Sequence, residues 1–155
     1  MKARTIALTL ALCSLGVAAG AVAADPNLGT WKLNAAKSKI VPGTPKNDTV
    51  VYEAVGDNVK VTVDGTDGAG KPQHNEWTGK FDGKDYPVTG DPTTDTRSLK
   101  MVKPGHYVLA NKKGGKVVAE GTVDFSADLK TRTLVTHATD ASGKKMTATA
   151  VYERQ

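Results

Sequence analysis

The chain has a single cysteine, Cys13, and it lies inside an apolar N-terminal leader. Leu12 precedes it and apolar sequence continues to Val22, which is not the small-residue setting of a lipid-modified cysteine. With the leader removed there is no thiol, so disulfides and thiolate chemistry are excluded and stability must come from packing. Aromatic residues are scarce, at 5%, which leaves few large side chains to line a wide apolar pocket. No basic run exceeds two residues, and Lys112-Lys113 and Lys144-Lys145 both fall at turns. A clustered basic stripe with stacking aromatics is missing, so no nucleic-acid partner is expected. There is no Gly-x-Ser-x-Gly elbow, and Glu53, Glu76, Glu120 and Glu153 are dispersed over separate segments. Nothing in the spacing supplies a nucleophile with its base or a carboxylate pair, and the chain is read as a non-enzyme.

What is present begins with an export signal. Lys2 and Arg4 form a basic n-region, Ile6 to Val22 an apolar run, and Ala21-Val22-Ala23-Ala24 a small-residue end. This three-part layout is that of a secretory signal peptide. The run is shorter than the roughly 20 apolar residues of a spanning helix, so no membrane span is expected to remain after cleavage. Cleavage after Ala24, with Ala23 as the neighbouring choice, makes residues 1–24 the leader and residues 25–155 the mature chain. Loss of Lys2 and Arg4 takes two from the formal charge of +5, leaving +3 with the charges interspersed. The expected location is the periplasm or the exterior of a bacterial cell. The mature length suits one domain able to bury a core unaided.

From residue 29 onward, short segments of alternating apolar and polar residues are separated by turn chemistry. Strands are predicted over 31–34, 49–55, 59–66, 73–81, 85–88, 94–103, 106–111, 116–125, 131–140 and 144–154, nine or ten in all. Gly56-Asp57-Asn58, Asp82-Gly83-Lys84, Pro104-Gly105 and Ser142-Gly143 are the sharpest turns between them. Val59, Val61 and Val63 share one face, with Lys60, Thr62 and Asp64 opposite. No helical period is visible beyond the leader, apart from a weak short helix within 34–39. Consecutive strands with tight turns make an antiparallel up-and-down meander. A meander of eight to ten strands leaves two exposed edges unless the sheet closes, and closure is the expected solution.

Gly29-Thr30-Trp31 opens the first strand. On that motif, the strand count and the leader, the chain resembles the calycin group, the lipocalin and fatty-acid-binding-protein-like barrels. The resemblance implies a lipocalin-like barrel whose first-strand tryptophan packs across the closed end, covered by a basic side chain of the last strand. Carried onto this sequence, Trp31 and Arg154 are the expected closing pair. The chain also looks like small secreted bacterial proteins with a similar Gly-Thr-Trp-Lys-Leu start and a segment like residues 82–88, to which no activity is assigned. It departs from lipocalins proper in having no disulfide, no C-terminal helix and few aromatics.

A barrel of this kind holds a small ligand without catalytic machinery. Tyr52, Trp77, Phe81, Tyr107 and Phe125 are the bulky strand residues and the candidate ligand-binding set; the other reading is that they fill the barrel. His74, His106 and His137 lie on three strands with no ligand spacing, so no metal is expected. Asp64-Gly65-Thr66-Asp67-Gly68 and the segment Asp91 to Asp95 place oxygens close together, but they are also what tight turns require. No cofactor is expected. The function expected is binding of a small hydrophobic or amphipathic molecule, with a structural or interaction module of the cell envelope as the alternative.

Overall fold

In the computed structural model, residues 25–139 and 142–155 are described; the leader falls outside them. Among the described residues ten strands alternate along the chain: β1 (Gly29–Leu33), β2 (Lys46–Val55), β3 (Asn58–Thr66), β4 (Pro72–Gly79), β5 (Tyr86–Thr89), β6 (Thr96–Lys103), β7 (His106–Lys113), β8 (Lys116–Phe125), β9 (Thr131–Thr139) and β10 (Lys145–Arg154). Each strand pairs antiparallel with its sequence neighbours, and β1 pairs with β10 to close the barrel. The fold is all-β, a ten-strand antiparallel meander closed on itself. Closure pairs the first strand with the last, so the two terminal edges of an open meander are not presented for strand addition.

The closing seam is short. Trp31, Lys32 and Leu33 pair with Arg154, Glu153 and Tyr152. Beyond it Asn34 leaves the strand and caps a single 3-10 turn, Ala35–Lys37, by accepting from the Lys37 N–H at 3.1 Å. Lys39 then returns to bridge Thr149, and Ser38 Oγ accepts from the Val151 N–H at 2.9 Å. The β10 edge is thereby covered by the connection into β2 as far back as Thr149.

Alternation sorts the side chains. Val50 and Tyr52 of β2, Val61 and Val63 of β3, Trp77 of β4, Val123 of β8, and Ala150 and Tyr152 of β10 are all buried inside. Residues between them, such as Lys60, Glu76 and Glu153, face out and form exposed ion pairs. Apolar burial on one face of each strand supplies the stabilisation, at about 25 cal/mol per Å² removed from water.

Strand ends differ from the sequence expectation where the local pattern breaks. β2 starts at Lys46, ahead of the expected residue 49, and a register shift between Asn47 and Thr49 hides the early alternation. β7 runs on to Lys113 past a second shift between Asn111 and Lys112. β4 stops at Gly79, where a Cβ would stand 2.6 Å from the Trp77 and Tyr86 rings, so Phe81 lies beyond the strand. β5 is the thinnest part of the wall, with two paired residues on each side.

The two ends of the barrel are unlike. One gathers residues 25–28, the C-terminus, and the tight turns after β2, β6 and β8. The other carries the connection from Asn34 to β2 and the loop between β5 and β6, and it is the end that holds open space.

Candidate functional site

At the tight-turn end, Trp31 is fully buried, and its indole N–H donates to the Asn27 carbonyl at 2.8 Å. The Arg154 guanidinium stacks over the indole at 4.3 Å. It also donates to three backbone carbonyls, those of Leu28 at 2.6 Å, Pro26 at 2.5 Å and Leu129 at 3.0 Å. Gly29 is needed beneath it: φ is +120°, and a Cβ there would stand 2.9 Å from Arg154 Nη1. The Gly and Trp of the opening motif therefore serve one arrangement. The Gly lets the guanidinium approach, and the Trp offers it a ring face.

A chain of ring contacts extends across this end. Phe125 meets Trp31 edge-on at 5.4 Å and Tyr107 at 5.9 Å, Phe81 meets Tyr107 at 5.3 Å, and Trp77 stacks with Phe81 at 6.4 Å. Tyr107 is fully buried and donates to Asp25 Oδ1 at 3.0 Å. Burial, and then the Asp25 carboxylate, push its phenol pKa well above the ordinary value. Of the five aromatics named from the sequence as ligand-binding, Trp77, Phe81, Tyr107 and Phe125 thus pack on one another at the closed end. None of the four lines the cavity described next, whereas Tyr52 does.

That cavity occupies the other half. An inner space of about 100 Å³ is walled by Val61, Val63, Leu99, Leu109 and Tyr52, with Arg97 and Arg132 among them. A wider space of about 360 Å³ opens at the mouth, bordered by Ile40, Val41 and Pro45 of the β1–β2 connection and by Ala148 and Ala150 of β10. The two share Asn47, Arg97, Asn111, Leu134, Thr136 and Tyr152, so they form one funnel. Tyr152 donates to the Asn47 carbonyl at 3.1 Å, and burial drives its pKa well above the ordinary phenol range against the pull of Arg132.

Neither interior arginine is legible as such in the sequence. Arg132 and Leu134 alternate with Thr133 and Val135, so the strand has no face that is plainly polar. Arg97 sits between Thr96 and Ser98 in the same way. Their inward placement, Arg132 buried and Arg97 half-buried, follows from the phase that Tyr107, Val123 and Tyr152 impose on the neighbouring strands. The sharing of Trp31 by a second guanidinium, Arg132 at 5.0 Å, is likewise a product of closure.

The histidines do not converge. His74 pairs with Asp64, His106 with Asp124, and His137 with Thr147, each across neighbouring strands on the outer face. Among the described residues no three His, Cys, Asp or Glu side chains are grouped to hold a metal ion. The two acidic turns are internally satisfied: Asp67 Oδ1 accepts from the Ala69 and Lys71 N–H groups, and Asp91 Oδ1 accepts from Thr93 N–H and hydroxyl.

On the outer face the His74–Asp64 pair is pH-dependent near neutrality. His74 Nδ1 lies 2.6 Å from Asp64 Oδ1, and that hydrogen bond holds the imidazole pKa above its ordinary 6.5 against some desolvation. Folding raises the pKa, so the pair's contribution is fully present below about pH 6.5 and is lost as pH rises through the folded value. Both side chains are more than half exposed, so the gain in stability is small. The expected result is an NMR titration of the His74 ring with its midpoint above 6.5, returning toward 6.5 in Asp64→Asn. A midpoint at or below 6.5 in the unaltered protein would contradict the pairing.

No protein-family model matches the sequence, and no curated protein matches it either. Among solved structures the chain is similar to the barrel EF1p2_mFAP2b bound to DFHBI, at 12% identity and TM-score 0.47, over 86% of this chain and 97% of that one. A redesigned beta barrel, mFAP1, bound to DFHBI gives 15% identity and TM-score 0.41, over 83% and 95%. Apocrustacyanin C1 gives 13% and 0.44, over 84% and 62%. The fold assignment itself stands on the ten-strand closure.

Proposed function

We propose that the protein is an exported carrier that binds a small, at least partly apolar molecule non-covalently in the open end of its barrel, without catalysis. The observation that carries this reading is the funnel, about 360 Å³ at the mouth and about 100 Å³ within. A barrel of this size is ordinarily filled by its own side chains, and interior space left open costs stability unless something occupies it. The mouth wall mixes aliphatic residues with amide and hydroxyl groups, the Asp91 carboxylate and the Arg97 guanidinium, a largely apolar wall with a few polar groups of the kind small-molecule pockets have. Inside, the polar groups are amides, a threonine hydroxyl, two guanidiniums and the phenols of Tyr52 and Tyr152, the latter with its pKa raised by burial. No histidine or carboxylate lines this inner space, which supports binding over turnover. The leader read from residues 1–24 supports the periplasm or cell exterior as the place of action.

The envelope-module alternative calls for a contiguous apolar patch. Of the exposed large apolar residues, Val55, Met101, Val102 and Leu129 stand on three separate turns at the tight-turn end, and Val117 stands at the other end. Native mass spectrometry of residues 25–155 purified from bacterial periplasm separates the readings. A retained adduct of discrete mass is expected. A bare protein mass with a partner subunit attached would overturn the carrier reading and favour the module.

A further inference from the structure

The mouth of the funnel has a polar corner whose groups are unequally satisfied. It is built by Asn75 of β4 and by Asp91, Thr93 and Thr94 of the loop between β5 and β6. Gly90 lets that loop lie against β4: its φ is +81°, and a Cβ there would collide with the His74 carbonyl and stand 3.2 Å from the Asn75 Cα. Asn75 is therefore only 4% exposed and Thr94 only 3%, although both border the open space. Asp91 and Thr93 satisfy each other, the carboxylate accepting from the Thr93 N–H and hydroxyl. Asn75 has no such partner, and its Oδ1 is buried without a hydrogen bond. Val63, opposite it on β3, has no side-chain donor. The donors nearby are engaged elsewhere: the Trp77 indole N–H with the Arg97 carbonyl at 2.9 Å, and Arg97 Nε with Asn111 Oδ1 at 2.8 Å. Thr94 bonds through its backbone N–H to the Asp91 carbonyl, at 3.4 Å. An amide oxygen buried without a donor costs stability that an apolar side chain of the same shape would not, so its place at a cavity wall points to a partner from outside.

We infer that the ligand carries an uncharged hydrogen-bond donor, a carboxamide or a hydroxyl, received by Asn75 and Thr94 at the mouth. This rests on the carrier reading and names the ligand's polar chemistry. Donation to the Asn75 oxygen supplies the bond that the fold does not, and the Thr94 hydroxyl donates or accepts as the incoming group requires. The last torsion of an asparagine is soft, so the amide turns its oxygen toward the space at little cost. The group is neutral because a charge moved out of water would be poorly compensated by one amide and one hydroxyl. Across the mouth the wall is aliphatic, with Ile40, Val41 and Ala148, so the rest of the ligand presents an apolar face there. Such a ligand is compact, with a polar edge and an apolar face.

The probes are benzamide, benzyl alcohol and acetophenone, which share one ring; acetophenone keeps the carbonyl of benzamide and has a methyl in place of its amino group. Titrations of residues 25–155 followed by NMR chemical shifts give the affinities. Benzamide or benzyl alcohol is expected to bind about tenfold tighter than acetophenone, and the better of the two identifies the donor as amide or hydroxyl. Asn75→Leu and Thr94→Val are each expected to weaken that donor by about three- to tenfold and to leave acetophenone unchanged. Asn75→Leu is also expected to hold or raise the urea midpoint of the ligand-free protein, because an unpaired buried group is removed. Thr94→Val keeps the side-chain shape and carries the binding test should Asn75→Leu fail to fold. Acetophenone binding as tightly as both donors, or donor affinity unchanged in the folded variants, overturns the donor site and leaves the carrier reading standing. A lowered urea midpoint in Asn75→Leu shows that the amide already has its partners and overturns it too. Failure of every probe overturns the donor site, and with a bare native mass the carrier reading as well.

Discussion

Replacing Trp31 with alanine is expected to lower the folding stability by about 3–5 kcal/mol, the usual cost of deleting a fully buried large aromatic. Three losses combine there. The indole leaves a void beside Phe125, whose ring it meets at 5.4 Å. The Asn27 carbonyl loses its N–H donor in a buried place. Arg154 and Arg132 both lose a ring face, so two cations become less well shielded at once. Equilibrium urea unfolding of residues 25–155 measures the change, and the midpoint should fall with the slope nearly constant. Trp31→Phe keeps part of the packing and one aromatic face, so a smaller loss is expected for it. A loss below about 1 kcal/mol for Trp31→Ala would show that the closed end does not depend on this residue.

Arg154→Ala is expected to cost about 2–4 kcal/mol, although the side chain is not fully buried. The guanidinium ties together three segments that are distant in sequence: residues 26–28 before β1, Leu129 in the β8–β9 turn, and the end of β10. Its removal leaves three carbonyls without their donor and uncovers the Trp31 ring. Because the β1–β10 seam has only three paired residues, local weakening there acts on closure of the whole barrel. Arg154→Lys separates charge from geometry. An ammonium cannot reach three carbonyls from one position, so lysine is expected to recover less than half of the loss. Equal stability of the Lys variant and the unaltered protein would show that charge alone suffices. Amide hydrogen exchange should place the opening in β1 and the end of β10, ahead of β7 and β8.

The strand content is legible in the sequence because the barrel has one apolar side per strand and sharp turns between strands. Val59, Val61 and Val63 with their polar alternates leave no other reading for β3, and Pro104-Gly105 permits nothing but a tight turn. Register shifts are less legible. The one between Asn47 and Thr49 shifts a residue out of phase, so the first part of β2 looks like loop. The open end of the barrel is less legible still. Large aromatics read in isolation look equally suited to lining a pocket or filling one. In the folded chain Trp77, Phe81, Tyr107 and Phe125 find one another, since offset and edge-to-face pairs reward clustering, and of the five candidate aromatics Tyr52 is the one that faces the cavity.

The sequence by itself determined that this chain is an antiparallel meander opened by Gly29 and Trp31. Alternation, turn residues and the absence of any helical period are local properties, written in consecutive residues. Which residues share the interior was decided by the tertiary structure alone. Arg97 and Arg132 lie on strands whose two faces look alike, and they turn inward because hydrogen-bonded neighbours with unambiguous faces fix their phase. Their place at one cavity depends on closure, which brings β6 and β9 within reach across the barrel. A property that arises between strands distant in sequence has no local pattern to announce it.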